Sequence, residues 1–220
     1  MSGGRLKTGE GNYCLIETVS NIMRFLWIGA AALLSFAPCA GVAQTSGTCA
    51  APFEAPLKSG AALSIDSRSA DIQIVGTDLE VIRVSCTLKH PDQANEIHLR
   101  FWEASGLSKL KLKGGSDNNV SIRIEVPRAT SLKISAPAGA VGVDRVTGNK
   151  DIDIHAGAVT VSHVDGSEYK SVDASVGIGE VRALAFGIDK GGFFRNFTRE
   201  NAKGKYRLHA RVGTGSIEFN

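Results

Sequence analysis

The chain has 220 residues, enough for one domain or at most two small ones, and its 43% hydrophobic and 21% charged residues exclude a disordered polymer. Twenty-five Lys and Arg against 22 Asp and Glu leave a net charge of +3, too even to point to nucleic acid or an anionic membrane surface. Glycine is frequent at 25 residues, but 6 prolines without a triplet period exclude collagen.

The start of the chain reads as an export address. Arg24 precedes an apolar run from Phe25 to Ala37, and Gly41-Val42-Ala43 puts small residues just before Gln44. A basic start, an apolar centre and a small-residue exit are the three parts of a secretory signal peptide. The run is short for a membrane span, which needs roughly 20 apolar residues. The uncharged stretch Phe25–Ala43 leaves an uncleaved anchor as the alternative. Pro38 before Cys39 fits a lipid-attachment motif poorly. Residues 1–22 carry Glu10 and Glu17 and make an odd leader, so Met23 is the expected true start. The expected division is a signal peptide with a mis-assigned extension over 1–43, an N-terminal tail over 44–56, and a single domain over 57–220.

Loss of residues 1–43 leaves two cysteines, Cys49 and Cys86. Two cysteines in an exported chain commonly pair. Cys86 shares a strand face with Ile82, Val84 and Leu88 and is expected to point inward. A Cys49–Cys86 disulfide would tie the tail to the first sheet.

From residue 57 the hydrophobic period is two. Leu63-Ser64-Ile65, Asp71–Val75, Val81–Leu88, Ile97–Phe101 and Lys109–Lys113 alternate as strands, with turn residues between them. Val120-Ser-Ile-Arg-Ile-Glu-Val126 is the cleanest strand, and Pro127 ends it. One short helix is expected within Phe193–Ala202.

The second half repeats. Ala138-Gly-Ala-Val141 recurs as Ala156-Gly-Ala-Val159, a shift of 18. Ala174-Ser-Val-Gly-Ile-Gly-Glu-Val181 recurs as Ala210-Arg-Val-Gly-Thr-Gly-Ser-Ile217, a shift of 36, and Gly157 to Gly179 is a step of 22. Units of roughly 18 to 22 residues with a glycine before each short β run predict an all-β solenoid, parallel β-helix-like, in which each coil buries the valines of the next. A β-sandwich is the alternative. The expected inward positions are Ile134, Val141, Val143, Ile152, Ile154, Val159, Val161, Val176, Val181 and Ile217.

The order of these motifs resembles the bacterial putative-adhesin family of exported domains. The resembling segments are Leu63–Ile65 with Ala70–Gly76, Val81–Val84, Val120–Pro127, Leu132–Ile134, the Gly-x-Val coils at Gly139, Gly157 and Gly179, and the terminal Gly213–Ile217. Together they span about residues 53–219. The resemblance implies export and a β-solenoid-like fold, and it implies no catalytic residues. Residues 186–205 depart from the pattern.

No motif of a known chemistry stands out. The chain lacks Gly-x-Ser-x-Gly, His-Glu-x-x-His, Cys-x-x-Cys and a phosphate-binding Walker loop. His155 and His163, with Asp151, Asp153 and Asp165, could approach a metal, but their alternation with Ile152 and Ile154 reads as a solvent face; no metal or cofactor is expected. Asp144, Asp153 and Asp173 could line one face for polysaccharide cleavage, yet Trp102 is the sole tryptophan after residue 43. The clearest surface candidate is residues 186–207, where Lys190, Arg195, Arg199, Lys203, Lys205 and Arg207 outnumber Asp189 and Glu200 around several phenylalanines. Within it Phe193, Phe194, Arg195, Phe197 and Arg199 form the candidate partner patch, suited to an anionic glycan or an envelope component rather than nucleic acid.

The sequence therefore reads as an exported adhesin-like binding module without catalytic activity, periplasmic, at the cell surface or extracellular. A structural scaffold of the cell envelope is the alternative, and a small polysaccharide-acting enzyme the remote one. Open strand edges would allow end-to-end self-association.

Overall fold

The computed structural model describes residues 44–68, 71–114, 120–190 and 195–220, and it is all-β. The strands in chain order are β1 (Gln44–Thr48), β2 (Phe53–Pro56), β3 (Ala62–Asp66), β4 (Asp71–Thr77), β5 (Val81–Leu88), β6 (His98–Ala104) and β7 (Leu107–Lys113). They continue with β8 (Val120–Pro127), β9 (Ser131–Asp144), β10 (Lys150–Ser162), β11 (Tyr169–Ala183), β12 (Ile188–Lys190), β13 (Arg195–Glu200) and β14 (Tyr206–Phe219). Two short 3-10 turns, Pro91–Glu96 and Leu184–Phe186, complete the regular structure of the described residues. No helix among these residues is long and apolar enough to cross a membrane.

Alternation dictates which side chains meet. Leu63 and Ile65, Ile72 and Ile74, Ile82 and Val84, Leu110 and Leu112, and Ile122, Ile124 and Val126 all join one hydrophobic core. The ten positions predicted to point inward are each at most 2% exposed. Burial of this many branched side chains is the main stabilising term of the fold.

All fourteen strands belong to one sheet, and that sheet has two halves. The first part of β9 (Ser131–Ser135) pairs in parallel with β3, and its last part (Val141–Asp144) pairs with β4. Strand β7 extends the first half beside β3, and β8 extends the second beside β4. Antiparallel β6 and β1 then continue the first half, and β5 and β2 the second. Beyond β9 come β10, β14 and β11, long strands that belong to both halves. At that end β13 pairs with the first half of β11 and β12 with the second.

A line of glycines marks the junction. Gly139, Gly157, Gly215 and Gly179 stand in ladder register, with φ between +124° and +143°. A Cβ on Gly157 would lie 1.8 Å from the Gly139 carbonyl oxygen. On Gly215 it would lie 1.7 Å from that of Gly157, and on Gly179 1.7 Å from that of Gly215. Neither the backbone angle nor the space admits a side chain at these three rungs.

The 18- and 36-residue repeats are ladder registers. Ala138 stands beside Ala156, and Ala174 beside Ala210. The 22-residue step from Gly157 to Gly179 is not, because β14 lies between β10 and β11. The C-terminal strand carries Val212, Gly215 and Ile217 where both neighbours present the matching residues, so it fits between them.

Residues 44–56 are not a tail: they form β1 and β2, and Phe53 packs edge-on against Phe101 with ring centroids 6.4 Å apart. Cys49 and Cys86 are at disulfide distance, with Cα atoms 5.4 Å apart. The expected helix within Phe193–Ala202 is also corrected, since Arg195–Glu200 is β13. The edge of β11 offers backbone partners there, and Phe197 opposite Ala174 reaches the core. Residues 1–43, where the signal peptide was read, lie outside the described residues.

Candidate binding rim

The site begins with a lysine in the wrong place. Lys150 opens β10 with the same parity as Ile152 and Ile154, so its side chain turns inward beside Leu132 and Leu208. It is 2% exposed. Its Nζ donates to the Gly148 carbonyl oxygen at 3.3 Å and to the Tyr169 hydroxyl, and lies 4.9 Å from the centre of the Tyr169 ring. Burial pulls the Lys150 pKa down to about 8, and the charge of Glu168 pulls it partly back. Tyr169 is buried too, and burial, then the charge of Glu168, push its hydroxyl well above the ordinary range.

The Gly148 carbonyl is set by its backbone. Gly148 has φ +125°, and a Cβ there would come 2.5 Å from the Thr130 carbonyl oxygen. The turn before β10 is thus reserved for glycine, and it presents an acceptor to Lys150.

A groove of about 560 Å³ opens over Lys150, lined also by Asn149, Asp151, Lys205, Arg207 and His209. A second, of about 370 Å³, is lined by Lys170, Ser171, Glu200, Asn201, Ala202 and Arg207. Arg207 borders both. Its backbone N–H donates to Asn149 Oδ1 at 2.9 Å, which joins the start of β14 to the start of β10. Asn201 holds the connection into β14: its Nδ2 donates to the Ser167 carbonyl at 3.1 Å, and its Oδ1 accepts from the Lys203 N–H at 3.1 Å. Lys205 lies 5.2 Å from the Tyr206 ring centre. The one carboxylate in the first groove's wall, Asp151, is engaged by Lys133 at 3.4 Å. The rim is therefore a concave, mainly cationic surface over one buried amine.

The structure divides the sequence-derived partner patch. Phe197 is buried, with its ring centroid 5.4 Å from that of Phe186, so it serves the core and not a partner. Phe186 also packs edge-on against Phe219 at 6.1 Å. The Arg199 guanidinium lies over the Phe186 ring at 5.1 Å. Arg195 is half-buried and borders a small cavity with Val181, Ile188 and Phe197. Phe193 and Phe194 lie outside the described residues. Lys203, Lys205 and Arg207 of the same basic segment lead into β14, and the last two line the rim.

The three acidic candidates do not come together. Asp153 and Asp173 share the outward face of the first half of the sheet but stand in different rows: Asp153 is opposite Arg211, and Asp173 is opposite His209 at 3.9 Å. Asp144 ends the second half, where it accepts from Arg145 Nε at 3.0 Å and meets His163 Nδ1 at 2.7 Å. Asp165 accepts from the Ser167 N–H and hydroxyl, which hold its carboxyl below the usual range. Among the described residues no three His, Cys, Asp or Glu side chains are grouped to hold a metal ion.

Lys150 is the residue that the charge and motif reading passed over. The signal for it was present: a lysine two residues before Ile152 shares that isoleucine's side of the strand.

No protein-family model matches the chain, and no curated protein does. Solved structures do. The chain is similar to a putative cell adhesion protein from Clostridium sporogenes at 12% identity and a TM-score of 0.51, over 77% of this chain and 98% of that one. It is also similar to a putative adhesin from Bacteroides fragilis at 11% identity and a TM-score of 0.35, over 77% of this chain and 96% of that one. At such identities the first likeness shows a shared fold.

Proposed function

We propose that this chain is an exported, adhesin-like binding module without catalytic activity, and that the cationic rim around Lys150 is its ligand surface. The observation that carries the reading is the rim itself: two adjoining grooves, cationic side chains from three neighbouring segments, and a buried amine beneath them. A concave surface with several polar groups turned toward it is the usual place for a ligand. The fold shared with a putative cell adhesion protein supports the adhesin-like part. The Cys49–Cys86 pair supports an oxidising, extracytoplasmic compartment, as does the signal-peptide pattern of residues 24–43. The in-register glycines and stacked valines support a solenoid-like description, each long strand acting as one bent coil. The partner in this reading is an anionic glycan or another envelope component.

A second reading, an envelope scaffold, is favoured by the strand edges at both ends of the sheet. Strands β1 and β2 at one end and β12 and β13 at the other offer unpaired backbone groups to another copy. Protease treatment of intact cells separates the two. Digestion without lysis supports the surface module. Protection until the outer barrier is broken supports the scaffold, and crosslinking then identifies its neighbours.

A further inference from the structure

We propose that copies of this chain join head to tail, with the free edge of β1 in one copy pairing antiparallel with the free edge of β13 in the next. This deepens the envelope-scaffold reading by naming the contact, and it rests on that reading for the place of the assembly in the cell.

The first observation is which backbone groups are free. Among the described residues β1 pairs only with β6, and β13 only with β11. Just past β1 the Cys49 N–H donates to the Ile97 carbonyl. Alternation along the antiparallel ladder therefore turns the backbone groups of Gln44, Ser46 and Thr48 away from β6. Just past β13 the Asn201 N–H donates to the Lys170 carbonyl, and the same alternation turns those of Asn196, Thr198 and Glu200 away from β11. Each edge offers N–H and C=O groups on alternate residues, over the same length.

Direction and face fit as well. Strand β11 runs with β9, through parallel β10 and β14, and β13 runs against it. Strand β1 also runs with β9, since β3 and β7 are parallel to it and the two steps to β6 and β1 each reverse direction. A copy placed end to end thus brings β13 to β1 antiparallel. Setting Ser46 opposite Thr198 puts Gln44 opposite Glu200 and Thr48 opposite Asn196, and each of these pairs can exchange both N–H···O bonds. The outer face stays polar across the seam, because Ser46 shares it with Arg100 and Thr198 with Asp173. On the core side Gly47 meets Phe197, the one buried side chain of β13.

Charge selects this pair over its rivals. Strand β1, Gln-Thr-Ser-Gly-Thr, is uncharged. Arg195 and Arg199 have the parity of Phe197, so two β13 edges would gather the arginines of both copies along one seam. Two β1 edges would bring only Thr45 and Gly47 to the core side. The other half of the sheet shows what a guarded edge looks like. The Leu57 N–H donates to the Glu80 carbonyl, which turns the backbone groups of Glu54 and Pro56 away from β5, and proline has no N–H to offer. Neither β1 nor β13 contains a proline. The seam is short, so a Kd on the order of 10–1,000 µM is expected.

The test is sedimentation of the purified protein across that range, with proline variants at each edge. Ser46→Pro and Thr198→Pro each remove one outward N–H and leave the bonds to β6 and β11 in place. Each alone should weaken self-association at least about tenfold. Mixed in equal amounts, they should recover a pair of copies and nothing larger, because each keeps the edge that the other has lost. Cysteines give a second readout that does not depend on either proline being tolerated. Residues opposed in this way stand about 5.5 Å apart between Cα atoms, within disulfide reach, so Ser46→Cys should cross-link to Thr198→Cys on oxidation. Wild-type protein that stays monomeric up to about 1 mM overturns the contact. So do proline variants that fail to complement each other, or a cysteine variant that cross-links to itself as readily as to the other. Head-to-tail association of a protein that is digested on intact cells keeps the contact and removes the scaffold reading. A monomeric protein that is protected on intact cells and crosslinks to other envelope proteins removes the contact and keeps the scaffold.

Discussion

Replacing Lys150 by methionine should make the protein more stable at neutral pH. Methionine keeps an unbranched stem of similar length and removes the ammonium group. A fall in pKa from 10.5 to about 8 corresponds to a cost of about 3 kcal/mol for keeping the charge in the folded state. Against that, Tyr169 loses the donor on its buried hydroxyl, at a cost of about 1–2 kcal/mol. The net expectation at pH 7 is a gain of about 1–2 kcal/mol, or a rise in Tm of roughly 2–8 °C for a chain of this size. The pH dependence is the sharper readout. The folded pKa of Lys150 lies below the unfolded one, so between pH 8 and 10.5 the unfolded chain holds a proton that the folded chain has released. Stability contributed by this residue therefore rises with pH across that window, by about 2 kcal/mol between pH 7 and 9.5. Tyr169 acts in the opposite sense at higher pH. Its folded pKa is raised, so the unfolded chain loses that proton first and stability falls above about pH 10. Denaturant melts of both proteins from pH 7 to 9.5, in buffer free of sulfate and phosphate, give the difference. A wild-type protein whose stability relative to Lys150→Met is flat over that range would refute the reasoning, as would a variant destabilised at pH 7.

Other expectations follow from the sheet. Gly157→Ala forces a Cβ to within 1.8 Å of the Gly139 carbonyl at φ +143° and should cost more than about 3 kcal/mol, read as a shift in denaturant midpoint or loss of folded protein. Reduction of Cys49–Cys86, or Cys86→Ser, should cost about 2–4 kcal/mol, with the bond checked by mass spectrometry under non-reducing conditions. Arg199→Ala should lower stability by only about 0.5–1 kcal/mol, the contribution of an exposed cation over an aromatic ring, whereas Phe197→Ala should cost about 3–5 kcal/mol. A larger effect for Arg199 than for Phe197 in thermal melts would reverse the assignment of that segment.

Much of the fold was legible because alternation is local. Val120–Val126 announces its inward face by spacing alone, and the Ala-Gly-Ala-Val repeats gave ladder registers directly. What escaped depends on distant partners. Strand β1 (Gln44–Thr48) has no apolar alternation and exists through its pairing with β6. Strand β13 has one buried side chain, Phe197, and is held by the edge of β11. The pairing of β10 with β14 aligns Gly157 with Gly215 over flanks that share little else, so sequence comparison passes it by. The site divides likewise. Lys205 and Arg207 stood out as part of a basic run, but Lys150 reads as an ordinary polar residue until its shared parity with Ile152 is weighed.

The place of β14 also sets the order of events during biogenesis. Strand β14 fills the space between β10 and β11, so neither of those strands has its full complement of partners until β14 is available. Synthesis runs from the N-terminus, and the second half stays an open-edged intermediate until β14 has been made. Deleting Ile217–Asn220, which removes the fully buried Ile217 and Phe219, should accordingly give a chain that is degraded, not a shortened stable domain.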